Sequence, residues 1–440
     1  MAVGAQDTGK IGELKRRIIF TLLMLAVYRI GVQIPTPGIN SEALATFFAK
    51  NAGNIFGMVN MFSGGALERF SIFALGIMPY ISASIIFQLL TVVIPQLEAL
   101  SKEGEAGRRK ITQYTRYATI GLSVVQGLFI AIGLEGMTAS GSNEMIVLDP
   151  GWSFRLMTVL TLTSGTAFIM WLGEQITDRG IGNGISLIIF AGIVASMPAA
   201  IINTVKMVTS GQIMAVFLPL LLGMMVAVVG IIIFFETAQR RIPIQYAKRM
   251  VGRQMFGGQQ SHLPLKINIA GVIPPIFASS IMMFPGTIGQ FVQIEIVQKI
   301  SAMLAWGSPL HTLLYVGFII FFCFFYTAVT FNPNDIAENL KKNGGFVPGI
   351  RPGKRTAEFI DKVMVRLTVV GSIYVSAVCV LPTVLINEVN LPFYFGGTAL
   401  LIVVSVSIDT MSKIESYTVQ QNYDGFMKKQ RVRGRRTFNG

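Results

Sequence analysis

The stretch Asn60–Leu90, NMFSGGALERFSIFALGIMPYISASIIFQLL, decides the fold. Its first part completes an apolar piece that runs from Ile55 to Leu67 and stops at the charged pair Glu68 and Arg69. A second apolar run starts at Phe70. The first piece is too short to cross a bilayer, which takes roughly 20 helical residues, and too apolar to rest in water. Half-length backbone survives at membrane depth only inside protein or along an aqueous cavity. The pattern therefore predicts a re-entrant element folded into a bundle ahead of a spanning helix. A pore, a filter or a plug has that form.

Working outward, the composition belongs to a membrane protein. Hydrophobic residues make up 52% of the 440 and charged residues 13%, where a soluble protein carries about a quarter charged. That fraction is too low for a water-facing surface. Cys323 and Cys379 lie within apolar runs, so neither a disulfide framework nor a cysteine-rich metal site is readable.

Ten candidate spans follow along the chain: Ile18–Ile34, Ser71–Ile94, Tyr117–Leu134, Trp152–Leu172, Gly184–Ile202, Ile213–Phe235, Ile269–Val292, Leu310–Phe331, Leu367–Ile386 and Phe393–Ile408. Of the 36 Lys and Arg, 30 fall on one side if the N-terminus is cytoplasmic, 4 fall on the other, and Arg29 and Arg155 lie within spans. That bias predicts cytoplasmic N- and C-termini. The net charge of +14 is then a property of one face. The basic stretch before Ile18 lacks a small-x-small cleavage site after its apolar run, so it reads as the start of an uncleaved first helix. KIGELKRR suits a short amphipathic helix near the headgroups.

Two cytoplasmic loops exceed what a connection needs, Thr237–Lys266 and Asn332–Arg366. Charge alone reads as a solvated loop attracted to anionic lipid. The basic residues are interleaved with Tyr246, Met250, Met255, Phe256, Phe346 and Pro348, and Gly349–Gly353 reads as a defined turn. That second reading is a docking surface for ribosomal RNA or an acidic motor protein. Its candidate residues are Lys248, Arg249, Arg253, Arg351 and Lys354.

Signals of chemistry are sparse. His262 and His311 have no metal-ligand spacing around them. GIGNG at Gly180–Gly184 matches neither a phosphate-binding loop nor a dinucleotide fingerprint and reads as a turn into span five. Glu174, Glu236 and Asp409 sit at span ends, whereas ion coupling places ionisable groups deep in the bundle. An enzyme, a resident cofactor and an ion-coupled carrier are all disfavoured. What the spans offer is isoleucine in phase: Ile77 with Ile81, and Ile185 with Ile189, each pair sharing a helix face. Isoleucine in a span is commonly lipid-facing or filler, and phase alone does not reverse that.

Seven motifs carry a resemblance: MFSGGALERFSIFALGIMPYISASIIFQLLTVVIP, KEGEAGRRKITQYTRY, WLGEQITDRGIGNGISLIIFAGIV, HLPLKINIAGVIP, FFCFFYTAVTFNP, FVPGIRPGKRTAEFIDKV and PFYFGGTALLIVV. Together they resemble the bacterial SecY family of protein-conducting channel subunits, from about Gly12 to Tyr423. The extracytoplasmic loops and the tail after Tyr423 are not part of the likeness.

The resemblance implies an all-α polytopic membrane protein: ten transmembrane helices in two pseudo-symmetric inverted halves, residues 1–204 and 205–423, then a basic tail, 424–440. It implies a re-entrant plug helix before span two, on residues 55–69, with Ile55, Phe56, Gly57, Met58, Val59, Asn60, Met61, Phe62, Ser63, Gly64, Gly65, Ala66 and Leu67 as its body. The family's apolar pore ring falls on Ile77, Ile81, Ile185, Ile189, Ile276 and Ile402. A lateral exit would open between spans two and three on one side and seven and eight on the other. Ser82, Gln88 and Asn268 are candidate residues at that seam, with plain interhelical hydrogen bonds as the alternative.

The implied function is conduction of unfolded secretory polypeptides across the plasma (cell inner) membrane, with signal and membrane segments released sideways into lipid. The implied partners are SecE and SecG, the SecA ATPase, the ribosome, signal sequences and membrane lipids. A small-molecule transporter would also show inverted repeats and broken helices, but it should carry polar residues at midplane.

Overall fold

The computed structural model describes residues 7–40, 43–44, 60, 63–135, 146–210, 217–246, 249–251, 254–256, 260–291, 303–304, 308–389 and 397–433. The chain divides into two compact units. One comprises residues 1–91, 96–199 and 406–440; the other comprises 92–95 and 200–405.

In the first unit, α1 (Asp7–Gly31) packs on α5 (Trp152–Arg179), and α4 (Glu105–Glu135) forms an extensive pair with α5. The buried face of α4 carries Thr115, Thr119, Ser123, Gly127 and Ala131, spaced four apart. Lipid tails are as apolar as leucine, so membrane helices associate through close backbone approach, which small residues permit. A Cβ added at Gly127 would lie 3.6 Å from Val159 Cα. The opposite face of α4 exposes Val125, Leu128 and Phe129, as a lipid-facing surface would.

Span two differs from the sequence expectation. Residues 72–77 form turns, and helix α2 runs only from Met78 to Val93. Two contacts explain the delay: Thr36 N donates to Phe70 O at 2.8 Å, and Ile72 N donates to Ile34 O at 3.0 Å. These bonds satisfy backbone groups that a helix would otherwise need. Gly76 at φ 56 then makes a turn that an L side chain resists. Pro79 is tolerated because the first helical turn has no use for its N–H. At Pro95 the chain bends by 99° into α3 (Pro95–Lys102), since the residue before a proline is driven out of helical geometry. Helix α6 (Gly184–Thr209) begins at the GIGNG turn.

The second unit contains α7 (Phe217–Thr237), α8 (Ile273–Phe291), α9 (Pro309–Thr330), α10 (Pro333–Lys342) and α11 (Lys354–Val389). It ends with the start of α12 (Gly397–Arg433). Helix α9 packs on both α8 and α11.

The segments read as loops hold strands. β1 (Gln239–Tyr246), β4 (Gln260–Lys266) and β5 (Gly345–Phe346) form one antiparallel sheet in the order β4-β1-β5. A hairpin of β2 (Arg249–Val251) and β3 (Gln254–Phe256) lies between β1 and β4 in the chain. Both large basic loops thus contribute to one sheet. Ile242, Leu265, Val347, Ile360 and Met364 close a single core beneath it.

Five helices among the described residues are long and apolar enough to cross a membrane, or six if the bent pair α2–α3 is one span. Shorter apolar helices cover 184–198, 222–237 and 273–282. α4, α11 and α12 each extend well beyond their apolar stretches. Hydropathy marks where lipid contact ends, but Glu, Lys and Arg are good helix formers and carry the helix onward.

Candidate functional site

The segment expected to re-enter the bundle belongs to the first unit. Residues 55–59, 61 and 62 of the expected plug lie outside the described residues; Asn60 and Ser63–Leu67 lie within them. This visible part is a knot of backbone bonds. Asn60 O accepts from Gly65 N at 2.8 Å, and Asn60 Oδ1 accepts from Glu68 N at 2.9 Å. Asn60 Nδ2 donates to Glu68 Oε2 at 3.1 Å, and Ser63 Oγ donates to Asn60 O at 3.0 Å. Ala66, Leu67, Phe70 and Ala74 are buried. The described end of the apolar piece, Ser63–Leu67, therefore lies largely within protein.

Two side chains of α1 grip this knot. Tyr28 OH donates to Ser63 O at 3.1 Å, and Arg29 Nη1 donates to Gly64 O at 2.9 Å. A Cβ added at Gly64 would come within 2.7 Å of Gly192 Cα on α6 and within 2.9 Å of Arg29 Nη1. Gly192 lies three residues beyond Ile189 on the same helix. Phe73 stacks between Tyr28 and Phe168, with ring centroids 6.0 and 5.9 Å away.

In the first unit Ile77 directly precedes α2, and Ile81 N donates to Ile77 O at 3.1 Å, so the two are one turn apart. Both are buried, as is Ile189; Ile185 is half-buried. In the second unit Ile276 is half-buried on the first turn of α8, and Ile402 on α12 is fully buried.

Of the seam candidates, Ser82 is buried on α2. Gln88 Oε1 is buried with no hydrogen-bond partner among the described residues. Asn268 lies in the turn between β4 and α8, ahead of the helix. Its Nδ2 donates to Glu236 Oε1 at 2.7 Å and to Gly271 O at 3.1 Å. It thus holds the foot of the β4-β1-β5 sheet to the end of α7.

Arg351 is exposed between Gly349 at φ 82 and Gly353 at φ 106. Arg351 O accepts from Thr356 Oγ1 at 3.0 Å, and Val347 O accepts from Ile350 N at 3.1 Å. Both ends of the turn are thereby tied to the core beneath. Lys354, also exposed, opens α11. Arg249 opens β2, while Lys248 and Arg253 lie outside the described residues.

Sequence reasoning passed over several of these groups. Arg29 stood out only as an interruption of span one, although a charge inside a span is itself a pointer to a site. Buried Glu236 stood out only as a span-end acid. At the far end of the α4–α5 pair, Arg155 makes a two-pronged ion pair with Glu135, the closest approach 2.6 Å, and Gly151 N also donates to that carboxylate. The Arg155 hydrogen bond holds the Glu135 carboxyl below its usual range. Among the described residues no three His, Cys, Asp or Glu cluster to hold a metal.

Comparison with known proteins agrees with this geometry. The SecY family model matches residues 71–411. Protein translocase subunit SecY of Pseudomonas aeruginosa is 51% identical over 438 residues, covering 98% of this chain and 97% of its own length. That of Escherichia coli strain K12 is 52% identical over 430 residues, covering 97% and 96%. In fold, the chain is similar to a solved protein-conducting channel, with a TM-score of 0.65 at 17% identity, covering 92% of this chain and 93% of that one. It is also similar to Sec61 in a canine ribosome-channel complex, with a TM-score of 0.61 at 17% identity and the same coverage. Fold and site define a membrane-embedded, helical channel subunit rather than an enzyme. The chain belongs to the SecY family.

Proposed function

We propose that this chain is the pore-forming subunit of a protein translocase in the cell inner membrane, with both termini cytoplasmic. Ten spans in two inverted halves, residues 1–204 and 205–423, would surround the conduit. Ile77, Ile81, Ile185, Ile189, Ile276 and Ile402 would ring its waist. Unfolded secretory chains pass through the ring, and membrane segments leave sideways past Ser82 and Gln88. Asn268 acts at the root of this gate through its hold on Glu236. The observation that carries the reading is the housed re-entrant segment, seated on α6 three residues from Ile189. That is where a plug for such a ring belongs.

The exposed turn around Arg351 supports docking of the SecA motor and the ribosome, and SecE and SecG would complete the membrane assembly. Of the structural neighbours, Sec61 was solved with a ribosome bound. A narrow apolar constriction excludes ions because it dewets and replaces none of their hydration. Replacing Ile81 and Ile189 together by Asn should raise resting ion conductance in planar bilayers several-fold. Conductance equal to wild type would remove the ring from this account.

A further inference from the structure

The seated segment is held by two donors of α1 that no part of the plug-and-ring reading requires. Arg29 reaches Gly64 O and Tyr28 reaches Ser63 O, at consecutive carbonyls of the same turn. A guanidinium within a membrane span is costly, and such charges are retained where they serve a task. Here the task is specific. The carbonyls at Ser63 and Gly64 accept from α1, while Gly64, at φ 67, lies against the backbone of Gly192. α1 and α6 thus meet the segment at one turn, where an added Gly64 Cβ would lie 2.7 Å from Gly192 Cα and 2.9 Å from Arg29 Nη1. α6 supplies a flat glycine surface that provides shape, and α1 supplies donors that provide hydrogen bonds. A glycine-on-glycine contact is smooth and can separate without unlocking any side chain. The two α1 donors must be broken outright.

We propose that Arg29 and Tyr28 are positioning residues that latch the re-entrant segment closed, so that their release, rather than separation from α6, sets the cost of opening. This rests on the plug reading of the segment, and the test separates the two. The reporter is Ala66→Cys, a fully buried position in the knot, in a Cys323→Ala, Cys379→Ala background that removes the two buried native thiols. The full translocase is reconstituted in proteoliposomes, and the rate of N-ethylmaleimide labelling is measured beside resting ion conductance.

A charge-assisted hydrogen bond outweighs a neutral one. Arg29→Met should therefore raise the labelling rate about tenfold, and Tyr28→Phe about threefold. Arg29→Lys retains a charged donor for the single carbonyl and should stay nearer wild type than Arg29→Met. Conductance should rise in the same order. Labelling of Arg29→Met at the wild-type rate, or Lys and Met variants that behave alike, would overturn the latch. Should Arg29→Met fail to accumulate, Tyr28→Phe removes one hydroxyl only and decides in its place. If labelling rises but conductance does not, deletion of residues 55–67 discriminates. A leak in the deletion alone overturns the latch's part in sealing while the plug reading stands, whereas no leak in either sinks the plug reading and the latch that rests on it.

Discussion

Two glycine-containing turns of this protein, residues 63–70 in the first unit and 344–353 in the second, use the same residue for different physical ends. Gly64 is left-handed, and it is also short of space: an added Cβ would meet Gly192 Cα at 2.7 Å. Gly349 and Gly353 are left-handed too, but a Cβ on either meets nothing within 4 Å. The buried turn needs glycine so that two backbones can touch. The exposed turn needs it only to reverse the chain, which leaves Arg351 projecting into water. The first turn closes on a neighbouring backbone by lacking a side chain, and the second presents one. The difference teaches that a glycine motif announces a turn but not its purpose.

The comparison breaks first at Gly64. Gly64→Ala adds left-handed strain and a backbone overlap, together about 3 kcal/mol. Hydrogen exchange of the Ser71 amide, bonded to Ala66 O at 2.8 Å, should lose protection on the order of a hundredfold. The same Cβ would crowd Arg29 Nη1 at 2.9 Å, so unchanged protection would mean that neither close contact matters to the turn. Arg351→Glu comes next. Its fork of donors on a constrained turn pairs with acidic partners in a way a point charge does not copy, so motor-driven export into vesicles should fall about tenfold. Local exchange should be unaltered. Lys354→Glu should have a small effect, and equal small losses for both would reduce Arg351 to one charge among its neighbours.

Gly349→Ala sharpens the contrast, because it carries strain without overlap, about 1 kcal/mol. Protection within 345–353 should fall about fivefold, with the Ser71 amide untouched. The smallest effect belongs to the Glu135–Arg155 pair, where backbone and charge meet at the Gly151 amide. The folded Glu135 carboxyl titrates below its ordinary value of 4.5. Its contribution to stability is therefore complete above that value and is lost as pH falls through the lower folded one. Glu135→Gln should flatten the acid side of the thermal stability profile slightly. A profile identical to wild type below pH 5 would show that the pair holds nothing.

The membrane class and the family likeness were legible because they are local. Apolar run length, charge bias and ten-residue motifs add up along the chain without reference to what lies across from them. The housing of Leu67 and Phe70 follows from the same logic, since an apolar piece too short to span has nowhere else to go. The start of α2 was not legible, because it depends on the bonds that Ile34 and Thr36 make with residues 70–72.

The β4-β1-β5 sheet was hidden for a related reason. Ile242 and Ile244 alternate, as do Leu263 and Leu265, but Pro243 and Pro264 interrupt each run and demote it as a strand. The register that pairs Arg241 with Pro264 and Gln245 with Phe346 is a long-range choice. It joins two loops that read as separate docking surfaces into one platform over a shared core. The residue order alone put Arg29 inside an apolar run and Gly64 in a glycine pair just ahead of Glu68 and Arg69. Only the tertiary structure decided that the guanidinium would find the Gly64 carbonyl. A donor in a low-dielectric interior takes whichever acceptor the packing brings near, and nothing in the spacing of residues 29 and 64 selects it.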